Sequence, residues 1–366
     1  MNKKVRIGII GTGFARLVQI PAFQAAGAEI VSVASGHLEN ARRAAHDFGV
    51  EHFTDDWREI VRREDLDLIS IVTPPIFHHE MTMAALENGK HVLCEKPMAM
   101  NAAEALEMTE KAAEKKVLAL INHELRFLNA RQKAFEMIRE GEIGRVMHVK
   151  TVFRNASRGT PETPWNWWSD ETKGGGALGA IGSHAIDAFN WILRTEIAEI
   201  FCALKTNIKE RPDKTTNELR RVTSDDEANL ILRFTDGELT GDTSATASFS
   251  VVEAGEYIHD LEIFGSKGSL VIKKDGEFLF SKMEDNLWQK IEIAPEELLP
   301  NRPRDGWSNG FLVFAREIVG AIKAGRTEIP HAATFADGYR TQLILDAARE
   351  SNAKGCFVKI KNSVRL

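Results

Sequence analysis

Residues 5–10 form a near-continuous apolar run that ends in Gly11-Thr12-Gly13. Short runs of the same kind recur at 30–34, 68–72, 92–94 and 117–121. Between them lie segments with helical periodicity, at 38–48, 57–62, 77–88 and 102–115. This alternation is the strongest constraint in the chain. Strands that are apolar on both sides need both faces of their sheet covered, and helices between successive strands supply that cover. Crossover helices also make the strands parallel. The first third therefore reads as an α/β unit with a doubly wound parallel sheet. Asn101 is placed to cap the helix at 102–115, and Gly49 and Gly89 to end the helices before them.

Beyond about residue 125 the texture changes. A helix at 132–139 leads into an alternating strand at 147–153. Residues 155–176 make a long loop rich in Gly, Pro, Thr and Trp. Long loops are functional or disordered, and the tryptophans argue for order. A helix at 185–193 follows. From 198 to 281 strand-like runs dominate, among them 228–234, 238–243 and 260–264, with Thr235-Asp236-Gly237 and Lys274-Asp275-Gly276 as hairpin turns. Helices at 310–323 and 333–351 and a strand at 356–360 close the chain. This half reads as an α+β domain on an open, mostly antiparallel sheet. The expected division is 1–124 and 125–366.

Other features narrow the function. The 366 residues are too many for one small core. The net charge of −6, with no basic run, argues against a nucleic-acid partner. Cys94, Cys202 and Cys356 are too few and too scattered for a disulfide framework or a zinc site, so no metal is expected. No signal-peptide pattern opens the sequence, and no apolar run reaches the roughly 20 residues that span a bilayer. A cytoplasmic protein without membrane contact is the expectation.

A Gly-x-Gly turn at the first strand–helix junction of such a sheet is where backbone amides and a helix N-terminus receive a pyrophosphate. Here Gly11, Thr12 and Gly13 fill it. Arg16 stands where a third small residue is usual, and Pro21 falls in the first helix, which it kinks or restarts. At the end of the second strand an acidic residue would select NAD through the ribose hydroxyl. The chain has Ser35-Gly36-His37 instead, with Arg42 and Arg43 nearby. NADP or NAD is the expected cofactor, with NADP favoured.

Glu95-Lys96-Pro97 follows the apolar run His91-Val92-Leu93-Cys94. A lysine there points into the crevice where open α/β sheets bind ligands. Removing a hydride from a carbinol leaves a carbonyl only if the hydroxyl proton also departs. The step needs a base in reach and gains from a nearby cation. Lys96 suits the cation role. His184, with a side chain that titrates near neutrality, suits the base. Asp187, one helical turn on, is placed to orient that ring or hold a substrate hydroxyl. Trp165-Asn166-Trp167-Trp168 offers aromatic faces for a sugar, or simply anchors the loop.

Taken in order, these motifs resemble the glucose–fructose oxidoreductase/inositol dehydrogenase (Gfo/Idh/MocA) family over nearly the whole chain. The matching stretches are Gly8-Ile9-Ile10-Gly11-Thr12-Gly13-Phe14, Val72-Thr73-Pro74-Pro75 with His78, and Glu95-Lys96-Pro97. Gly174-Gly175-Gly176, Gly182-Ser183-His184-Ala185-Ile186-Asp187, Ile263-Phe264-Gly265-Ser266-Lys267-Gly268 and Thr334-Phe335-Ala336-Asp337-Gly338-Tyr339-Arg340 complete the set. The resemblance implies a Rossmann domain and a substrate-binding, oligomerising C-terminal domain. It also implies hydride transfer to or from a sugar, inositol or related polyol, and dimers or tetramers formed through the C-terminal sheet. It puts Phe14, Thr73, Pro74 and His78 along the cofactor, and Glu95 and Lys96 where cofactor and substrate join. One departure stands out. The family pattern Asp-x-x-x-His has Ala180 in place of the aspartate. Either Lys96 and His184 suffice, or another group such as His123 or Glu124 substitutes, or the chain is a non-catalytic binding homologue. Arg126 is a candidate grip on a substrate oxygen or carboxylate.

Overall fold

The computed structural model describes residues 4–300 and 305–361. In its first compact unit Arg6–Ile10 (β1), Glu29–Ala34 (β2), His52–Thr54 (β3), Leu68–Ile71 (β4), His91–Cys94 (β5) and Ala119–Ile121 (β6) form one sheet, ordered β3-β2-β1-β4-β5-β6. Every neighbouring pair is parallel. This is the dinucleotide-binding order, and it reverses between β1 and β4. Ile20–Ala25 (α1), Leu38–Phe48 (α2), Trp57–Val61 (α3), His78–Glu87 (α4) and Ala102–Lys115 (α5) are the intervening helices. Asn101 caps α5 by accepting the Glu104 N–H at 3.0 Å, and the Glu104 carboxylate returns to the Asn101 side chain. Pro21 does restart its helix: Ala15–Gln19 make a π-helical turn, and α1 begins at Ile20 with the proline in its first turn, where a missing donor does no harm.

The second unit opens with Asn129–Arg139 (α6) and Val146–Arg154 (β7), then Ser183–Leu193 (α7). Its strands are Ile197–Lys205 (β8), Glu210–Pro212 (β9), Leu219–Arg221 (β10), Glu227–Phe234 (β11), Thr240–Ser250 (β12), Ile258–Gly265 (β13), Gly268–Ile272 (β14), Phe278–Lys282 (β15) and Gln289–Ile291 (β16). Gly306–Lys323 (α8), Phe335–Lys354 (α9) and Val358–Lys359 (β17) end the chain. A nine-stranded sheet runs β16-β15-β14-β13-β7-β12-β11-β8-β17 and is antiparallel except for β7 with β12. Both expected hairpins are present, β11–β12 and β14–β15. Strand alternation sends Ala228, Leu230 and Leu232 to a buried face, while Asn229, Ile231 and Arg233 are exposed on the other. Helix α7 covers the buried face: Ala185, Ala188 and Phe189 lie beside Thr151, Phe249 and Leu261 around a small cavity.

The compact units do not follow a single cut. The first comprises Met1–Leu128 with Glu296–Tyr339, and the second Asn129–Pro295 with Arg340–Leu366. Sequence reasoning divides the chain once, at 124/125, and so assigns α8 to the second part. Its apolar stripe instead completes the first core. Phe311 stands edge-on to Phe23 with centroids 5.3 Å apart, and Phe314 stacks on Phe127 at 4.6 Å. A helical stripe tells that a face is buried, and says nothing of which unit buries it.

Candidate active site

At the switch point Gly11 leaves β1 with φ +101°, and a Cβ there would stand 2.3 Å from the Val72 carbonyl oxygen. Only glycine fits between the two strand ends. Gly13 is different. It is exposed, and a Cβ on it would meet nothing within 4 Å. Nothing in the chain itself requires a glycine at this position. Thr12 is buried, and Phe14 packs against the core. Arg16 pairs with Asp47. At the end of β2, the Ser35 N–H donates to the Thr54 carbonyl at 3.2 Å, and His37 is exposed. Arg42 is engaged by two hydrogen bonds to Glu39, at 2.9 and 2.7 Å.

The loops after β4 and β5 are joined by His78. Its ring nitrogens face the Thr73 carbonyl at 2.8 Å and the Pro97 carbonyl at 3.0 Å. The residue is 0% exposed, and burial holds its pKa below the usual value against those bonds. It is expected along the cofactor, yet no ring surface remains for contact. In the structure His78 links the Thr73-Pro74 and Lys96-Pro97 segments through those two carbonyls. The Lys96–Pro97 peptide is cis.

Glu95 is buried, and Lys96 is partly exposed. One Glu95 carboxylate oxygen, Oε1, accepts from Gln19 Nε2 at 2.7 Å and from Asn122 Nδ2 at 2.8 Å. Its other oxygen accepts the Lys96 N–H at 3.3 Å. Ser70 Oγ donates to Gln19 Oε1 at 2.5 Å. Burial pushes the Glu95 carboxyl upward, and the Lys96 charge, Asn122 and Gln19 oppose it. Gln19, Ser70 and Asn122 escaped sequence reasoning. For Gln19 and Ser70 the only signal is a polar residue inside an apolar run, Val18-Gln19-Ile20 and Ile69-Ser70-Ile71, and Asn122 only ends one, Leu120-Ile121-Asn122.

His123 and Glu124 follow β6 and are buried. Arg126 is buried too; it donates to the His331 carbonyl at 3.2 Å and lies 3.7 Å from Asp337. It therefore ties the turn after β6 to the segment before α9.

In the second unit His184 and Asp187 are both buried on α7. Ala180 sits in a π-helical turn, Leu178–Gly182, which leads directly into that helix. Asp225 shapes the entry. Its Oδ2 accepts the Leu178 N–H at 2.7 Å, and its Oδ1 lies where a Cβ on Gly176 would be, at 2.3 Å. Burial pushes Asp225 up to about 6. In the long loop the Trp165 ring lies under the Arg220 guanidinium at 3.5 Å, and Trp168 lies by Arg158 at 4.8 Å. Both rings anchor the loop. Trp167 is half-buried in a short turn, Trp167–Ser169. Buried Arg211 donates to the Thr160 and Arg158 carbonyls, at 2.7 and 2.5 Å, and holds the loop from below.

Residues 5–123 match the model of an oxidoreductase family with an NAD-binding Rossmann fold. Residues 131–271 match the GFO/IDH/MocA C-terminal domain. The chain is 29% identical to levoglucosan dehydrogenase of Pseudarthrobacter phenanthrenivorans over 98% of both proteins. It is 26% identical to mouse glucose-fructose oxidoreductase domain-containing protein 2, over 95% of this chain and 91% of the mouse protein. A solved structure of levoglucosan dehydrogenase in complex with NADH and L-sorbose superimposes with a TM-score of 0.86 at 27% identity, covering 98% of this chain and 99% of the other.

Proposed function

We infer the reaction from one premise: the chain belongs to the Gfo/Idh/MocA oxidoreductase family. On it we propose an NAD(P)-dependent dehydrogenase or reductase that acts at a carbinol or carbonyl carbon of a sugar, anhydrosugar, inositol or related polyol. The observation that carries the proposal is the crevice at the strand ends, where Gly13 is exposed after β1 and Lys96 follows β5, on the far side of β4. The relatives named as levoglucosan dehydrogenase support the substrate class.

The cofactor fits the residues present. Gly11, Thr12 and Gly13 would receive its pyrophosphate, and Thr73, Pro74 and the Glu95-Lys96 segment would border its nicotinamide. Bound there, the nicotinamide supplies the hydride acceptor or donor. The chain's own residues handle the proton. The Lys96 ammonium lowers the energy of the alkoxide oxygen, and the His184 imidazole takes the hydroxyl proton, with Asp187 setting its orientation. His123, Arg126 and Trp167 stay as substrate contacts in this proposal, Arg126 through the turn that it fixes.

NADP is favoured over NAD because no carboxylate ends β2 and His37 and Arg43 are exposed there, although Arg42 is held by Glu39. A cytoplasmic location goes with the proposal, since Cys94, Cys202 and Cys356 are all free thiols. Among the described residues no helix is long and apolar enough to cross a membrane.

A second reading rests on Ala180: a binding homologue that holds dinucleotide and ligand without turnover. The two separate in one assay. Levoglucosan, aldoses and inositols are offered with NADP and with NAD, and nicotinamide absorbance is followed. Steady reduction with any of them supports the enzyme. Tight dinucleotide binding with no reduction across the panel supports the binding homologue.

A further inference from the structure

The polar chain Ser70–Gln19–Glu95–Asn122 lies wholly inside the first unit. Ser70, Gln19 and Asn122 are each 0% exposed, and Glu95 is 8% exposed. Burying four polar side chains in an otherwise apolar sheet is unfavourable unless they satisfy one another. Here Gln19 and Asn122 both donate to one Glu95 oxygen, and Ser70 donates to Gln19.

We propose that Gln19 and Asn122 are positioning residues for Lys96: their two N–H donors lock the Glu95 carboxylate as an oriented anion beside the lysine. The inference deepens the proposed function and rests on the role given there to Lys96.

The direction of each bond supports it. The Ser70 hydroxyl donates to Gln19 Oε1, which obliges the amide to turn its nitrogen toward Glu95. Asn122 is fixed at the end of β6, where its backbone N–H donates to the Cys94 carbonyl at 2.9 Å. Its Nδ2 is given to Glu95. The Lys96 backbone N–H donates to the other Glu95 oxygen, and the Lys96 charge acts on that carboxyl. Ser70, Gln19 and Asn122, from β4, the turn before α1 and the end of β6, are neutral. The titratable neighbours are Cys94 and, beside Lys96, His78; burial favours the neutral form of each. Burial favours the protonated form of Glu95, and the Lys96 charge and the Asn122 and Gln19 donors oppose it.

The test reads Lys96 without any need for turnover. Protein labelled with 13C at lysine is titrated by NMR, and the Lys96 ε-carbon signal is assigned from Lys96→Arg. In wild type the signal shifts as Glu95 protonates. Gln19→Met keeps the volume and removes one donor, and the midpoint should rise by about one to two pH units, the worth of a hydrogen bond to a charged group. Asn122→Asp sets a second carboxylate against the first and should raise it further. Ser70→Ala should move it the same way by less. Unchanged midpoints in Gln19→Met and Asn122→Asp proteins that bind dinucleotide normally would overturn the inference, leaving the network only a packing feature. Should one variant fail to fold, the other and Ser70→Ala still decide. Loss of the Lys96 role shows separately, as unaltered turnover in Lys96→Ala, and leaves the titration result standing.

Discussion

Two glycines two residues apart do opposite work, and substitution separates them. Gly11 is demanded by the chain's own backbone, so Gly11→Ala should cost about 1–3 kcal/mol or prevent folding, as read by denaturant unfolding. Gly13 is demanded by nothing in the chain. Gly13→Val should leave unfolding within about 0.5 kcal/mol of wild type yet weaken NADH binding about tenfold or more in a fluorescence titration. A Gly13→Val protein that binds NADH normally would remove the pyrophosphate from this turn. Acid sensitivity belongs to this scale too. Burial and the Arg131 charge hold His259 down to about 3, while its ring stands edge-on to Phe153. The folded-state value lies below the unfolded one, so stability is complete above about pH 6.5 and falls as pH drops toward 3, by at most about 1.4 kcal/mol per pH unit. His259→Phe should flatten that part of the stability–pH curve.

The regular elements show how far pattern reasoning reaches. Helix α2 and helix α5 lie where periodicity and caps place them, because their signals are local: Asn101 before one, Gly49 after the other. Five of the six strands of the parallel sheet were equally legible, since runs buried on both faces leave few alternatives. The nine-stranded sheet was legible as antiparallel but not in its order. The β7–β12 parallel pair joins strands far apart in sequence, and no local residue records it. Strand β3, three residues long, is too short to carry a pattern. At the candidate site, Lys96 and Gly11 could be found because strand ends announce themselves. Gln19, Ser70, Asn122 and Asp225 could not, because their importance comes from burial against residues distant in the chain. The same limit applies to α8, whose place in the first core makes a prediction. Phe314→Ala removes a fully buried ring stacked on Phe127 and should destabilise that unit by about 3–5 kcal/mol. The effect should appear as a lowered melting transition that NADH still raises.

At the scale of the whole molecule two proposals remain to be joined to activity. The outer face of the large sheet carries Val152 and Ile231, 38% and 44% exposed, in a field of Ser248, Asn229, Thr246 and Lys150 set by strand register. If this face joins copies into a dimer or tetramer, Val152→Asp with Ile231→Asp should reduce the mass seen by light scattering to that of one chain, with little loss of unfolding stability. The central claim is that the Lys96 ammonium stabilises the alkoxide in a nicotinamide-dependent enzyme. The most direct measurement compares wild type with Lys96→Ala on the best substrate of the sugar panel, following kcat/KM and dinucleotide affinity together. The account predicts a fall of about 100-fold or more in kcat/KM with dinucleotide affinity changed only a few-fold. Equal turnover by the two proteins would contradict it.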